Sequence, residues 1–238
     1  MGVISKNHFL LRKLHQLSGV IPLGLYLFIH LLVNSYALQG APAFESKVHT
    51  LETLPFLPVW EAVFIYIPLI YHVMFGLWVV LIAKNNPLRF PYARNWNFVW
   101  QRVTGVFMVL FIGYHAWYMR FHGTPIGTIA GHAGYLKVVH QLSTPGMVAF
   151  YVVGLLATTF HFANGLWEFL IDWGFTVSMK AQYVSSVAMI IVWLGISGLG
   201  LSSLYAFTHP TNTAVSQGAN VPVSAATVAL QKEVANGR

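Results

Sequence analysis

Long apolar runs separated by short polar segments dominate this chain, and they predict five helical spans. Each run has about 20 residues or more, the length that an α-helix needs to cross the hydrocarbon core of a bilayer. We number the spans I to V, and they cover Ser18–Ala37, Val59–Ala83, Phe98–Met119, Met147–Ile171 and Val184–Phe207. The pattern therefore predicts an all-α membrane protein with five transmembrane helices.

The composition supports a membrane protein and limits the chemistry. Hydrophobic residues make up 56% of the 238 positions and charged residues only 8%, which is far from the composition of an average soluble domain. The chain contains no cysteine, so disulfides, thiolate metal sites and cysteine nucleophiles are excluded. A metal must be bound by histidine, methionine or carboxylate, and 11 histidines are present.

The distribution of basic residues predicts the orientation in the membrane. The net charge of +7 does not indicate a nucleic-acid partner, because the basic residues lie in short loops beside the spans rather than in one patch. With the N-terminus in the cytoplasm, the inner segments hold Lys6, Arg12, Lys13, Lys84, Arg89, Arg94, Arg102 and Lys180. The outer loops, leaving aside the tail, hold only Lys47, Arg120 and Lys137. The asymmetry predicts a cytoplasmic N-terminus and an external C-terminus.

Two regions are expected to lie outside the spans. The first is an outer loop over residues 40–58, and the second is the segment from Thr208, which is rich in Ser, Ala, Thr and Val. We therefore predict a transmembrane domain at residues 1–207 and an extramembrane tail at 208–238. The basic start and "SYALQGAPA" resemble a signal peptide, but span I is longer than the usual apolar region of such a signal.

Four histidines lie within the predicted spans, one on each of spans I to IV. They are His30, His72, His115 and His161. An ionisable side chain is costly at membrane depth, so such a residue is a functional candidate. A single buried histidine could equally be hydrogen-bonded between helices, but four on successive spans are harder to explain that way.

Depth sorts the four histidines into two pairs. At about 1.5 Å per residue, His72 and His161 both lie about 15–17 Å from the cytoplasmic ends of their spans. His30 and His115 lie about 18 and 25 Å deep, and form an outer level. Two imidazole pairs on four helices match two haems, each with two histidine ligands. Zinc is a weaker interpretation, because it normally takes more than two protein ligands.

An internal repeat supports the pairing. The octets "YHVMFGLW" and "FHFANGLW" place their histidines 89 positions apart (161 − 72), and "LSGVIPLGLYLFIH" and "VTGVFMVLFIGYH" place theirs 85 apart (115 − 30). Spans I–II and III–IV therefore look like two halves of a two-fold pseudo-repeat around the haems. Gly76 and Gly165 follow their histidines by one helical turn, where a missing side chain would leave room for a flat macrocycle.

These segments resemble a known family. The residues that carry the resemblance are "RKLHQLSGVIPLG", "HLLVN", "IPLIYHVMFGLW", "AKNN", "RNWNFVWQRVTG" and "FHFANGLW". In this order they are similar to the five-span, di-haem cytochrome b anchor subunits of succinate:menaquinone oxidoreductases and fumarate reductases, particularly the b558 type. The resemblance covers residues 12–207 and leaves out the tail.

The resemblance implies a role in electron transfer. The four axial ligands of the family fall on His30, His72, His115 and His161. Its implied partners are a flavoprotein with FAD and an iron–sulfur protein, with menaquinone as the substrate of the anchor and the bacterial cytoplasmic membrane as its location. The chain would then be a subunit of an enzyme, with the dicarboxylate chemistry on the flavoprotein and no catalytic residue of its own for that step.

Further site residues follow from the resemblance. Arg102, Arg12 and Lys13 could pair with haem propionates. His15 and Ser18, within "LHQLSG", are candidates for an inner quinone site, and Glu52 is a candidate for an outer one. Thr159 stands where some fumarate reductases have a glutamate used for proton movement, so that proton route is in doubt.

Two other functions stay open on the sequence. The chain could be the haem b anchor of a different membrane dehydrogenase, such as a formate dehydrogenase or a hydrogenase. It could also be a transporter or a structural anchor whose histidines are packed or relay protons.

Overall fold

The structure is a computed structural model that describes residues 3–122 and 133–210, with side chains from residues 7 and 134 onwards. Every regular element in these two ranges is helical. This confirms the predicted all-α class. Most of the tail, residues 211–238, lies outside the described residues, and the side chain of Lys6 is not described.

Nine α-helices follow one another along the described chain. They are α1 (Val3–Val20), α2 (Pro22–Ser35), α3 (Ala41–Glu52), α4 (Leu57–Glu61), α5 (Ile67–Ile82), α6 (Ala93–Ala116), α7 (Ala133–Gln141), α8 (Pro145–Asp172) and α9 (Met179–Thr208). A 3₁₀ segment, Tyr36–Gln39, extends α2, and π segments Ala62–Tyr66 and Trp117–Phe121 precede α5 and extend α6.

Four helices among the described residues are long and apolar enough to cross a membrane. They cover Asn7–Gln39, Leu57–Ile82, Pro145–Asp172 and Met179–Thr208. These helices contain the predicted spans I, IV and V, and span II except for its last residue, Ala83. Predicted span III lies in α6 and its π extension. This helix is not among the four. The first half of α6 carries several polar and charged side chains, including Arg94, Gln101 and Arg102. The count of five spans therefore remains a prediction.

Prolines divide two of the long helices without ending them. Pro22 separates α1 from α2, yet hydrogen bonds from the N–H of Ile21 to Leu17 O (3.0 Å) and of Leu25 to Ile21 O (3.1 Å) continue across it. Pro68, near the start of α5, follows the π segment Ala62–Tyr66. Proline has no N–H to donate, so a local change in helical pairing accommodates it.

The expected loop over residues 40–58 is wrong in part, since most of it forms α3. Ala41 and Phe44 of this helix are buried, with 0% and 3% of their surfaces exposed. The Phe44 ring packs edge-on against Tyr135 of α7 and Phe207 of α9, with ring centroids 6.1 and 5.2 Å apart. Burial of this apolar face stabilises a helix that has no long apolar run of its own.

The described chain forms two compact units. The first contains Pro58–Leu110, Leu156–Ser197 and the chain up to Ile29, and its core includes Phe75, Ala157 and Trp167. The second contains His30–Leu57, Phe111–Leu155 and the chain from Gly198, and its core includes Phe44, Tyr135 and Phe207.

Large apolar side chains are also abundant on the surface of the spans. Leu81 is 83% exposed, Leu110 69% and Ile191 66%. Apolar exposure on this scale matches helices whose outer faces contact lipid tails rather than water.

Candidate functional site

The first unit brings His72 of α5 and His161 of α8 together. Their ring centroids lie 6.2 Å apart, with the ring planes 76° apart. Two imidazole nitrogens bound at about 2.0–2.1 Å to opposite sides of one metal ion place the ring centres about 6 Å apart. The spacing of the two rings therefore fits a pair of axial ligands.

Each of these histidines is oriented by a backbone carbonyl on another helix. The Nδ1 atom of His72 lies 3.0 Å from His15 O, and that of His161 lies 3.0 Å from Gln101 O. A carbonyl oxygen only accepts, so Nδ1 carries the hydrogen in both rings and Nε2 keeps its lone pair. This is the usual arrangement of a metal-binding histidine, whose second nitrogen donates to a carbonyl or carboxylate.

The surroundings of the two rings match residue by residue. Ser18 Oγ lies 3.3 Å from Nδ1 of His72, and Thr104 Oγ1 lies 3.3 Å from Nδ1 of His161. Gly19 and Gly105 follow these hydroxyl residues. A Cβ atom on Gly19 would lie 2.6 Å from Cε1 of His72, and one on Gly105 would lie 3.1 Å from Cε1 of His161. A side chain at either position would push against the imidazole.

The glycines that the sequence singled out have other neighbours. A Cβ atom on Gly76 would lie 3.2 Å from Cε1 of His15, and one on Gly165 would lie 3.2 Å from Nε2 of Gln101. Both glycines thus lie against the residues whose carbonyls orient the histidines. Their predicted role in giving clearance to a macrocycle stays a prediction.

The second unit brings His30 of α2 and His115 of α6 together. Their ring centroids lie 5.7 Å apart, with the planes 81° apart. Nδ1 of His115 lies 3.3 Å from the hydroxyl of Tyr151 on α8. Asn34 donates to His30 O at 2.8 Å, one turn along the same helix. The four histidines chosen from the sequence thus form the two pairs expected from their depth.

Two imidazoles at each place fit haem b better than zinc. No group of three or more His, Asp or Glu side chains converges on a common point within the two described ranges. Zinc normally takes three or four protein ligands, whereas a haem iron takes four ligands from its own macrocycle and needs only two from the protein.

The inner quinone candidates lie at the His72 ring. The His15 ring stacks on that of His72, with centroids 4.1 Å apart and planes 17° apart. Ser18 Oγ donates to His15 O at 2.8 Å. Within the described part of the chain, Nδ1 of His15 is buried and has no hydrogen-bond partner. A buried polar atom without a hydrogen-bond partner is rare in a native structure, and it marks this ring as a candidate for a further polar contact.

The outer quinone candidate, Glu52, is the last residue of α3 and is half-buried. The charge of Glu52 acts on Glu45 of the same helix. Glu45 accepts a hydrogen bond from the backbone N–H of Tyr135 at 2.6 Å. Burial, with a further contribution from Glu52, raises the pKa of Glu45 to about 7 despite this hydrogen bond.

The three basic candidates differ in their contacts. Arg12 is exposed. Lys13 donates to the carbonyl of Asp172 at the end of α8 and lies 5.3 Å from the Trp173 ring. Arg102 donates to the side chain of Asn85, and its guanidinium lies 3.6 Å from the centre of the Phe98 ring.

Thr159, which marks the departure from the fumarate reductase pattern, is fully buried with 0% exposure. Its hydroxyl lies 2.7 Å from that of Ser197 on α9. In this chain the position therefore joins two helices through a neutral hydrogen bond.

Sequence reasoning missed a polar network beside His161. Gln101 donates to His161 O at 3.1 Å, and Asn164 donates to Gln101 Oε1 at 2.8 Å and to Glu168 Oε1 at 3.1 Å. The sequence held a signal for part of it. "HQLSG" at residues 15–19 and "QRVTG" at 101–105 repeat the same spacing of orienting carbonyl, hydroxyl and glycine.

Comparisons with known proteins agree on one family. Residues 86–200 match the family model of the succinate dehydrogenase/fumarate reductase transmembrane subunit. The succinate dehydrogenase cytochrome b558 subunit of Bacillus subtilis is 41% identical over 201 residues, which cover 84% of this chain and 98% of that protein. A succinate dehydrogenase hydrophobic membrane anchor subunit of Thermoplasma acidophilum is 28% identical over 95 residues, covering 40% of this chain and 71% of that protein.

These matches agree with the resemblance carried by the histidine octets and favour it over an anchor of a different dehydrogenase. They also place the chain in an enzyme complex and in a membrane. The chain belongs to the family of succinate dehydrogenase cytochrome b558 subunits, the membrane anchors of complex II.

Proposed function

We propose that this anchor binds two haems b, one between His72 and His161 and one between His30 and His115, and passes electrons from an iron–sulfur subunit to menaquinone. The observation that carries the proposal is the geometry of the His72–His161 pair. Its rings are 6.2 Å apart, and both Nδ1 atoms are bonded to carbonyls so that both Nε2 atoms are available.

A haem held by two imidazoles supplies one-electron transfer without an open position for oxygen. The protein itself orients the rings of His72 and His161. His15 O and Gln101 O each accept an Nδ1–H hydrogen bond, and Gly19 and Gly105 leave the space that the two imidazoles occupy. This matched set of contacts supports the proposed two-fold pseudo-repeat of spans I–II and III–IV.

The partners follow from the family. We infer that a flavoprotein with FAD oxidises succinate, and that an iron–sulfur subunit delivers the electrons to this chain. The excess of Lys and Arg on one side supports a cytoplasmic N-terminus and an external C-terminus. We infer that both partner subunits bind on the cytoplasmic side.

Menaquinone is proposed to bind beside His15 and Ser18 or near Glu52. The buried Nδ1 atom of His15, which has no partner within the described residues, supports the first position because it could hydrogen-bond an oxygen of the bound quinone or quinol. Replacing His15 with Leu is then expected to lower quinone reduction and to leave succinate oxidation by an artificial acceptor unchanged.

A difference spectrum of the purified complex tests the haem assignment. We expect a b-type α-band in the dithionite-reduced sample and two haems per chain by pyridine haemochrome assay. His72→Ala or His161→Ala should reduce the count to one, and so should His30→Ala or His115→Ala.

His49→Ala is the matched control, because His49 is exposed on α3 and belongs to neither pair. This variant should retain both haems. A native complex without a b-type band, or a band unchanged in all four ligand variants, would refute the proposal.

A further inference from the structure

The two histidine pairs differ in what orients them. In the His72–His161 pair, both Nδ1 atoms meet backbone carbonyls at 3.0 Å. In the His30–His115 pair, Nδ1 of His115 meets the side-chain hydroxyl of Tyr151 at 3.3 Å. A carbonyl is fixed by its helix, whereas a phenol can be removed by substitution without changing the backbone.

Tyr151 is held firmly in the second unit. Only 6% of its surface is exposed, and its ring packs edge-on against Phe111 and Phe150 with centroids 5.5 and 6.1 Å away. Gln141, itself 5% exposed, hydrogen-bonds the Tyr151 hydroxyl and donates to Tyr114 OH at 2.8 Å. The ring packing fixes the plane of the phenol, and Gln141 lies beside its oxygen.

This placement has an electronic consequence if His115 binds a metal. With Nε2 committed to iron, Nδ1 keeps its hydrogen and must donate, and the phenol oxygen is its acceptor. A hydrogen bond from the free nitrogen makes the imidazole a more basic ligand, which favours the oxidised metal.

We propose that Tyr151 is a positioning residue that orients His115 and lowers the midpoint potential of the haem at the His30–His115 pair. The inference rests on the proposed function, since it requires a haem at that pair. It separates the two sites chemically. In the other pair, backbone carbonyls at 3.0 Å accept the Nδ1 hydrogens, and the Ser18 and Thr104 hydroxyls lie farther away, at 3.3 Å.

The test is a redox titration of the purified complex carrying Tyr151→Phe. This change removes one oxygen and keeps the ring that packs against Phe111 and Phe150. We expect one of the two haem components to shift to higher potential, by up to about a tenfold change in its reduction equilibrium, or about 59 mV for one electron. The other component should stay in place.

Tyr118→Phe is the matched control, because Tyr118 OH lies 3.2 Å from Nδ1 of His140, which is not in either pair. It should leave both potentials unchanged. If the Tyr151→Phe complex loses a haem, the Gln141→Leu complex is titrated instead. A shift in the potential of only one haem component then supports the inference.

Three outcomes would overturn the inference. They are two unchanged potentials, an equal shift of both components, or the same shift in the Tyr118→Phe control. These outcomes differ from failure of the proposed function, which would appear as a wild-type complex without two haems.

Discussion

At the scale of single residues, the orientation of an imidazole depends on its immediate neighbours. His72 and His161 are each confined by a carbonyl, a hydroxyl and a glycine. The sequence predicted the histidines because a titratable group at membrane depth is conspicuous. It could not predict which glycines face them, because Gly76 and Gly165 share the histidines' own helices whereas Gly19 and Gly105 come from neighbouring ones.

Substituting Gly19 with Ala should disturb the His72 site. The added Cβ atom would lie 2.6 Å from Cε1 of His72, so the ring must shift from the position in which Nδ1 meets His15 O. We expect the complex to lose one haem or to bind it with a changed α-band. Gly105→Ala, with 3.1 Å of separation, should have a smaller effect.

Gly195→Ala serves as the control for both variants, since an added Cβ atom would meet nothing within 4 Å there among the described residues. Haem content by pyridine haemochrome assay is the measurement. Normal content and spectrum in Gly19→Ala would contradict the assigned role of this glycine.

Glu45 should make the contact between α3 and α7 depend on pH. Burial and the charge of Glu52 raise its pKa to about 7 from an ordinary 4.5. A carboxyl whose pKa is raised by folding contributes stability below its unfolded pKa, and this contribution is lost as the pH rises through the folded pKa. The α3–α7 contact should therefore weaken between about pH 4.5 and 7.

Hydrogen exchange of peptides from α7 at pH 5.5 and 8, corrected for intrinsic exchange rates, measures this dependence. Glu45→Gln should remove most of it, because the amide stays neutral throughout. Equal pH dependence in Glu45→Gln and the wild type would show that another group is responsible.

At the scale of elements, the apolar runs predicted helices because length and hydrophobicity suffice to define a membrane-spanning segment. Short amphipathic helices outside the runs were harder to predict. α3 was expected to be a loop, because its stability comes from Phe44 packing on Tyr135 and Phe207, residues more than 90 positions away. Local sequence contains no trace of such a distant contact.

The contact between α8 and α9 should depend in part on Thr159. Its hydroxyl lies 2.7 Å from that of Ser197, and both residues are buried. Thr159→Val keeps the shape and removes the hydrogen bond, so we expect a loss of about 0.6–1.7 kcal/mol in the free energy of unfolding. Unfolding in mixed detergent micelles with increasing SDS measures it.

A double-mutant cycle with Ser197→Ala isolates the pair from other effects of the two changes. Ser186→Ala is the control, because its hydroxyl donates to Tyr183 O within α9. Strictly additive losses in the cycle would argue against an energetic link between Thr159 and Ser197.

At the scale of the whole molecule, the predicted topology is open to direct measurement because the chain has no cysteine. Single cysteines at Ser46, Asn86 and Ser216 sample the segments after spans I, II and V. An impermeant maleimide applied to intact cells should label the first and third positions, and label Asn86→Cys only after the membrane is opened.

The third position distinguishes five spans from four. If α6 does not cross the membrane, the tail lies on the cytoplasmic side and Ser216→Cys is protected in intact cells. Labelling of Ser216→Cys from outside would support span III. Length and hydropathy alone do not identify this span, because the first half of α6 is polar.

The carbonyl contacts of His72 and His161 also suggest an order of assembly. His72 on α5 is oriented from α1, and His161 on α8 is oriented from α6. Each imidazole is thus oriented by a helix that is synthesised before its own. The helix pairs α1–α5 and α6–α8 could then leave the translocon with their imidazoles already oriented. Insertion of the haem would need only that the two pairs come together.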